Sequence, residues 1–192
     1  MYIYEESVNL IKSDNERTNN LSNAFLQLGC QYYAIARYCA PNVFTQPVCG
    51  TIFHHAVEML IKGYLVKSYT LADLKQVGHN LSNLWSMLQL TINDTNLSRY
   101  NNIMTDLDRI EALRYPDTMV DEGFIIKVSL GVVAPTQISE IDNLPHYSLI
   151  ISELDDIVLT ILTACKVNPK AGFNNAPAEF VRTLPASLRP YD

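Results

Sequence analysis

His55, Glu58 and Lys62 stand three and four residues apart in Phe53-His54-His55-Ala56-Val57-Glu58-Met59-Leu60-Ile61-Lys62-Gly63-Tyr64-Leu65. That spacing sets them on one side of a single α-helix. Apolar residues fill most other positions, so the helix is expected to be packed on several sides. A carboxylate there is costly unless it is paired or hydrogen-bonded. The segment therefore holds either a structural Glu58–Lys62 pair or a functional polar cluster. His54 and His55 are each about one turn from Glu58, which raises metal ligation. The order reverses the Glu-x-x-His of di-iron bundles, no second helix repeats it, and H-E-x-x-H is absent. The pattern favours the ion-paired patch, with no metal and no cofactor.

A second constellation is Ile110-Glu111-Ala112-Leu113-Arg114-Tyr115-Pro116-Asp117. Arg114 falls at a predicted helix C-terminus, where a cation complements the dipole. Tyr115 and Pro116 give the exit a fixed direction. Arg114 then serves as a structural stop, as a guanidinium offered to phosphate or carboxylate at a groove, or as a neutralising partner for Glu58. The chain has no G-x-S-x-G, phosphate loop or dinucleotide fingerprint. No cysteine has a nearby His or glycine-rich loop to make it a nucleophile.

The elements that must position these residues are helical. Leu21, Phe25, Leu28, Tyr32, Ile35 and Cys39 step by three and four, predicting a helix over 20–40 that Pro41 ends. Pro47 suits the start of a helix over 47–68, capped by Thr45 or Gln46. This helix is the least amphipathic and is placed at the centre. Thr70 caps a short turn over 71–77 that Gly78 closes. Leu81, Leu84, Trp85 and Leu88 mark a helix over 81–90. Asp94 caps another over 94–114, with Leu97, Tyr100, Met104, Leu107, Ile110 and Leu113 on one face. The region 117–142 reads as an insertion, with Phe124–Leu130 as a strand or hairpin arm between Gly123 and Gly131. Asn143 and Pro145 open a last helix over 144–166. The stretch 168–192, with Pro169, Pro177, Pro185 and Pro190, reads as an extended tail. Its Phe173, Phe180, Val181 and Leu184 need a surface to cover. The fold class is thus all-α. It is an antiparallel bundle of about five helices over 19–167, behind a polar lead over 1–18.

Composition narrows the rest. The chain has 192 residues, 48% hydrophobic and 18% charged, which suits a folded core in one domain. A net charge of −6 opposes non-specific binding to a polyphosphate backbone. Cys30, Cys39, Cys49 and Cys165 form no C-x-x-C pair and read as reduced, mostly buried thiols. Met1-Tyr2-Ile3-Tyr4-Glu5-Glu6 lacks the apolar segment of a signal peptide, and no run is long enough to span a membrane. A cytoplasmic location is expected.

Taken in order, His55-x-x-Glu58-x-x-x-Lys62, Gly78-His79-Asn80-Leu81 with Leu84, and Leu113-Arg114-Tyr115-Pro116 resemble the HEPN domain family. The resemblance covers roughly residues 20–166. It implies a helical bundle that commonly pairs two-fold. It also implies either an RNA-cleaving toxin or defence protein, or a non-catalytic module that binds a nucleotide, RNA or a protein. The family's ribonucleases carry Arg followed four to six residues later by His. Here none of Arg17, Arg37, Arg99, Arg109, Arg114, Arg182 and Arg189 has that His. The expectation is a non-catalytic, homodimeric HEPN-like module in a bacterial-type stress or defence setting. Its partner would be of the nucleotidyltransferase kind found in toxin–antitoxin pairs. The binding residues would be Arg114, Tyr115, Glu58, His55, Lys62 and His79. The alternative is a divergent, metal-independent ribonuclease using a displaced His54 or His79.

Overall fold

The computed structural model describes residues 14–92, 96–115, 117, 120–121, 123–131 and 144–190. Most of the Met1–Thr18 lead, the Asp94 and Asn143 caps, Pro116 and the insertion past residue 131 lie outside them. The described chain is mainly helical, with one small sheet of two strands.

Helix α1 runs Asp14–Cys39 and α2 runs Gln46–Leu65. A 3-10 turn, Val43–Thr45, joins them, capped by the Asn42 side chain on Phe44 N–H. Thr45 precedes α2 but does not cap it through its side chain. Its hydroxyl donates instead to the carbonyls of Cys39 and Asn42. As its composition predicts, α2 is buried on nearly every side and packs against α1, α4, α5 and α6, defined below.

The buried face of α1 differs from the predicted stripe. Leu26, Gly29, Cys30, Tyr33, Ala36 and Ala40 face inward, while Leu28 and Ile35 lie at the surface. Close approach to α2 selects small residues over large ones. A Cβ on Gly29 would stand 2.7 Å from Leu60 Cγ, and one on Gly63 would stand 2.8 Å from Leu26 Cγ. Interiors pack this tightly, so each glycine makes room for a leucine of the facing helix.

Helix α3, Leu71–Val77, begins with a reciprocal Thr70–Asp73 capping box. Gly78 ends it at φ +66, a conformation that favours glycine. Asn80 then caps α4, Leu81–Thr91, by accepting Asn83 N–H at 2.8 Å. Leu81, Leu84, Trp85 and Leu88 are buried, as their spacing predicts.

The single helix predicted over 94–114 is three pieces: a 3-10 turn Leu97–Tyr100, α5 over Asn101–Ile110, and a 3-10 turn Glu111–Arg114. The predicted apolar face is nonetheless buried from Leu97 to Leu113. Tightening the end rows merely rotates residues that share a face.

Strand β1, Ile125–Ser129, pairs in parallel with β2, His146–Ile150, with Ile125 opposite His146. A parallel partner rules out the hairpin. It also corrects the last helix, because residues 146–150 are strand and α6 is Ile151–Ala164. Tyr147 and Leu149 point inward while His146 and Ser148 point out, a period of two. The apolar Leu149-Ile150-Ile151 run hid that change of period. Asp106 on α5 accepts Ser148 N–H at 2.9 Å and ties β2 down.

The segment after 168 is not extended. It forms a 3-10 helix, Pro169–Phe173, and a short α7, Ala178–Val181, both packed on α1. Phe173, Val181, Leu184 and Leu188 are buried, so its apolar residues do cover the domain. Arg37 donates Nε–H to Thr183 O at 2.6 Å and pairs with Asp155, which also accepts the Tyr33 hydroxyl. One arginine thus ties α1 to α6 and to the C-terminal segment. All four cysteines are free. Among the described residues no helix is long and apolar enough to cross a membrane.

Candidate functional site

Two sequence-distant segments meet at the Glu58 carboxylate. Helix α2 supplies His54, His55, Glu58 and Lys62 from successive turns. The turn at Gly78 sends the chain back over α2 and delivers His79. Lys62 Nζ donates to Glu58 Oε1 at 2.6 Å and to the Gly78 carbonyl at 2.7 Å. His79 Nδ1 lies 3.1 Å from both Glu58 oxygens, and His55 Nδ1 lies 3.3 Å from Oε2. Glu58 itself is fully buried. The His79 side chain is 61% exposed and that of His55 is 28% exposed, so the cluster opens to solvent on one side.

Burial alone pushes the Glu58 carboxyl up. The hydrogen bonds from Lys62 and His79, with their charges, more than reverse this and hold it below the ordinary glutamate value. A carboxylate only accepts, so Nδ1 of both His55 and His79 carries the proton. In neutral His79 the lone pair is then on Nε2, on a ring held by a buried carboxylate. That is the arrangement of an oriented general acid or base.

His54 is wholly buried. Its Nδ1 lies 3.0 Å from the Leu107 carbonyl, which fixes the proton on Nδ1. Nε2 has no hydrogen-bond partner and stands 3.8 Å from Glu58 Oε2. Its ring meets that of His55 edge-on, with centroids 5.6 Å apart.

Arg114 does not reach Glu58. It lies beside Glu111, three residues back on the same 3-10 turn, with Nη1 2.6 Å from Oε1. A 3-10 turn eclipses i and i+3, which brings this pair together. The contact is off hydrogen-bond geometry, and both Glu111 oxygens are buried without a hydrogen bond. The Arg114 guanidinium also stacks over the Tyr115 ring at 4.8 Å. Arg114 and Tyr115 are both exposed.

Of the predicted site residues, the structure gathers Glu58, His55, Lys62 and His79 into direct contact. It holds Arg114 and Tyr115 as a separate pair, linked to the cluster through Glu111. Potential ligand atoms of His54, His55 and Glu111 lie within 4.8 Å of one another, and so do those of His55, Glu58 and His79. Glu111 was given no role from sequence. Its only signal was an acid three residues before Arg114. Asp108 was also missed. It accepts Leu81 N–H at 2.8 Å and the Ser82 hydroxyl at 2.6 Å, fixing the start of α4 beside His79.

Thiol chemistry has little basis here. Burial pushes the Cys30 and Cys49 thiols up to about 12 and Cys165 to about 11, so none of these three is a thiolate at neutral pH. Comparison with known proteins found no matching family model, no matching curated protein and no matching solved structure.

Proposed function

We propose that this chain is a HEPN-like binding module, an antiparallel helical bundle that acts as a homodimer on an anionic nucleotide or RNA ligand. One observation carries the reading: Glu58 and His79 meet in one half-open polar cluster, and the exposed Arg114 stands beside it through Glu111. Arg114, stacked on Tyr115, offers exposed N–H groups to a phosphate. The dimer reading draws on Leu28, Ile35, Tyr38, Val43, Phe44 and Val48, apolar residues left at the surface on α1 and at its join to α2. Phe44 alone is 91% exposed. A second copy of this chain would cover them and set two Arg114 residues about one two-fold axis.

The test is light scattering together with equilibrium binding of ATP and of single-stranded RNA. A dimer is expected, with binding weakened at least roughly tenfold in Arg114→Ala. A monomer with no affinity below about 1 mM for either ligand would overturn the reading. A protein partner of the nucleotidyltransferase kind belongs to the same proposal, as does a defence or stress setting.

The alternative activity, a metal-independent ribonuclease, draws on a different observation. His79 is held by Glu58 with its ring exposed, a suitable acid or base for phosphodiester cleavage. RNA cleavage that co-purifies with the chain and disappears in His79→Ala would make the module an enzyme. Absence of cleavage in pure protein leaves the binding role.

A further inference from the structure

We infer that His54, His55 and Glu111 form a binding site for a first-row divalent metal ion such as zinc. The argument begins with a buried lone pair. His54 is fully enclosed, its Nδ1–H is spent on the Leu107 carbonyl, and Nε2 faces the cluster with no donor to accept from. Leaving a buried polar atom unpaired is unfavourable unless something else occupies it. Glu111 lies nearby, its Oε2 buried without a hydrogen bond and its Oε1 held only by the Arg114 guanidinium. One potential ligand atom from each of His54, His55 and Glu111 falls within 4.8 Å of the other two. Two ligands on one zinc ion are about 3–4 Å apart, so small rotamer changes close the set.

The surrounding bonds are those a metal site uses. A ligating imidazole normally donates its other N–H to a carbonyl or carboxylate. His54 does so to Leu107 O, and His55 does so to Glu58, which leaves each ring one nitrogen for the metal. Glu58 is a positioning residue in this scheme, because Lys62 and His79 already occupy its carboxylate. Arg114 lies against Glu111 Oε1, and Oε2 remains for the ion. Two imidazoles and one carboxylate leave a tetrahedral ion one open position. This inference stands apart from the nucleotide or RNA reading and needs neither ligand.

Zinc added to chelator-stripped full-length protein tests it, by equilibrium dialysis with elemental analysis. One ion per chain is expected. Glu111→Gln and His55→Gln, each checked for a wild-type far-UV spectrum, should each weaken binding at least roughly tenfold. His146→Ala, which alters the one histidine outside the cluster, should bind as wild type. Cobalt should replace zinc and give a ligand-field spectrum with no thiolate charge-transfer band. Substoichiometric binding, unchanged affinity in both folded variants, loss in His146→Ala, or a thiolate band would each overturn the site. Should one variant fail to fold, the other decides.

Discussion

Replacing Glu58 by Gln removes one charge and almost no volume, so its effect isolates the ion pair. Lys62 is 8% exposed, and in the variant it keeps only the Gly78 carbonyl and an amide oxygen as acceptors. Breaking a buried pair from one side costs roughly 3–5 kcal/mol. The lower end applies here, since the amide still accepts a bond from Lys62 and the exposed His79 can rehydrate. A loss of about 3 kcal/mol lowers the unfolding midpoint of a chain this long by roughly 6–12 °C. Lys62→Met should be as costly on its own, because it strands the carboxylate. The double variant should cost little more than either single change, giving a coupling energy of about 2–3 kcal/mol in urea unfolding at neutral pH. The pH dependence has a definite sign. The folded-state pKa of Glu58 lies below its unfolded value of about 4.3, so its stabilisation is present above that value. It is lost as pH falls through the folded pKa, and wild type and Glu58→Gln converge in acid. A loss under about 1 kcal/mol for Glu58→Gln, or additive losses in the double variant, would refute the buried-pair reasoning.

Gly29→Ala and Gly63→Ala should each destabilise by about 1–3 kcal/mol, because the new methyl meets Leu60 or Leu26 inside 3 Å. Thermal unfolding that matched wild type would show that the α1–α2 contact has slack. Native Cys30 and Cys49 should resist iodoacetamide at about pH 8 while the urea-unfolded chain reacts, as mass spectrometry would read. Their folded pKa values are raised, so this stabilisation is full below about pH 8.5, the unfolded value. It falls by up to about 1.4 kcal/mol per thiol per pH unit above that, until pH passes the folded value. Urea titrations between about pH 8 and pH 10 measure that slope, and a flat profile would contradict the burial. Deleting residues 169–192 uncovers α1 beneath Phe173, Leu184 and Leu188 and removes the Thr183 carbonyl from Arg37. The truncated chain should unfold at lower urea or aggregate, and unchanged stability would make the segment a mere appendage.

The sequence by itself determined what depends on local periodicity and on residue type. Central α2 was legible because most of its positions are apolar, and the inward face from Leu97 to Leu113 because its steps are three and four. The Glu58–Lys62 pair was legible because i and i+4 meet on any helix. Gly78 marked the end of the short 71–77 helix, since a positive φ is a local demand. Tertiary structure decided what depends on which surfaces meet. The inward face of α1 was set by the close approach of Gly29 and Gly63, not by its larger apolar stripe. Residues 146–150 became a strand because β1 offered a parallel partner 21 positions earlier in the chain, a pairing no window of local sequence contains. Arg114 took Glu111 instead of Glu58 because the helix tightened into a 3-10 turn at that point. The buried lone pair of His54 exists only because Leu107, 53 residues away, places its carbonyl against Nδ1. Hydrogen bonds across such separations depend on packing, and packing is a property of the folded chain as a whole.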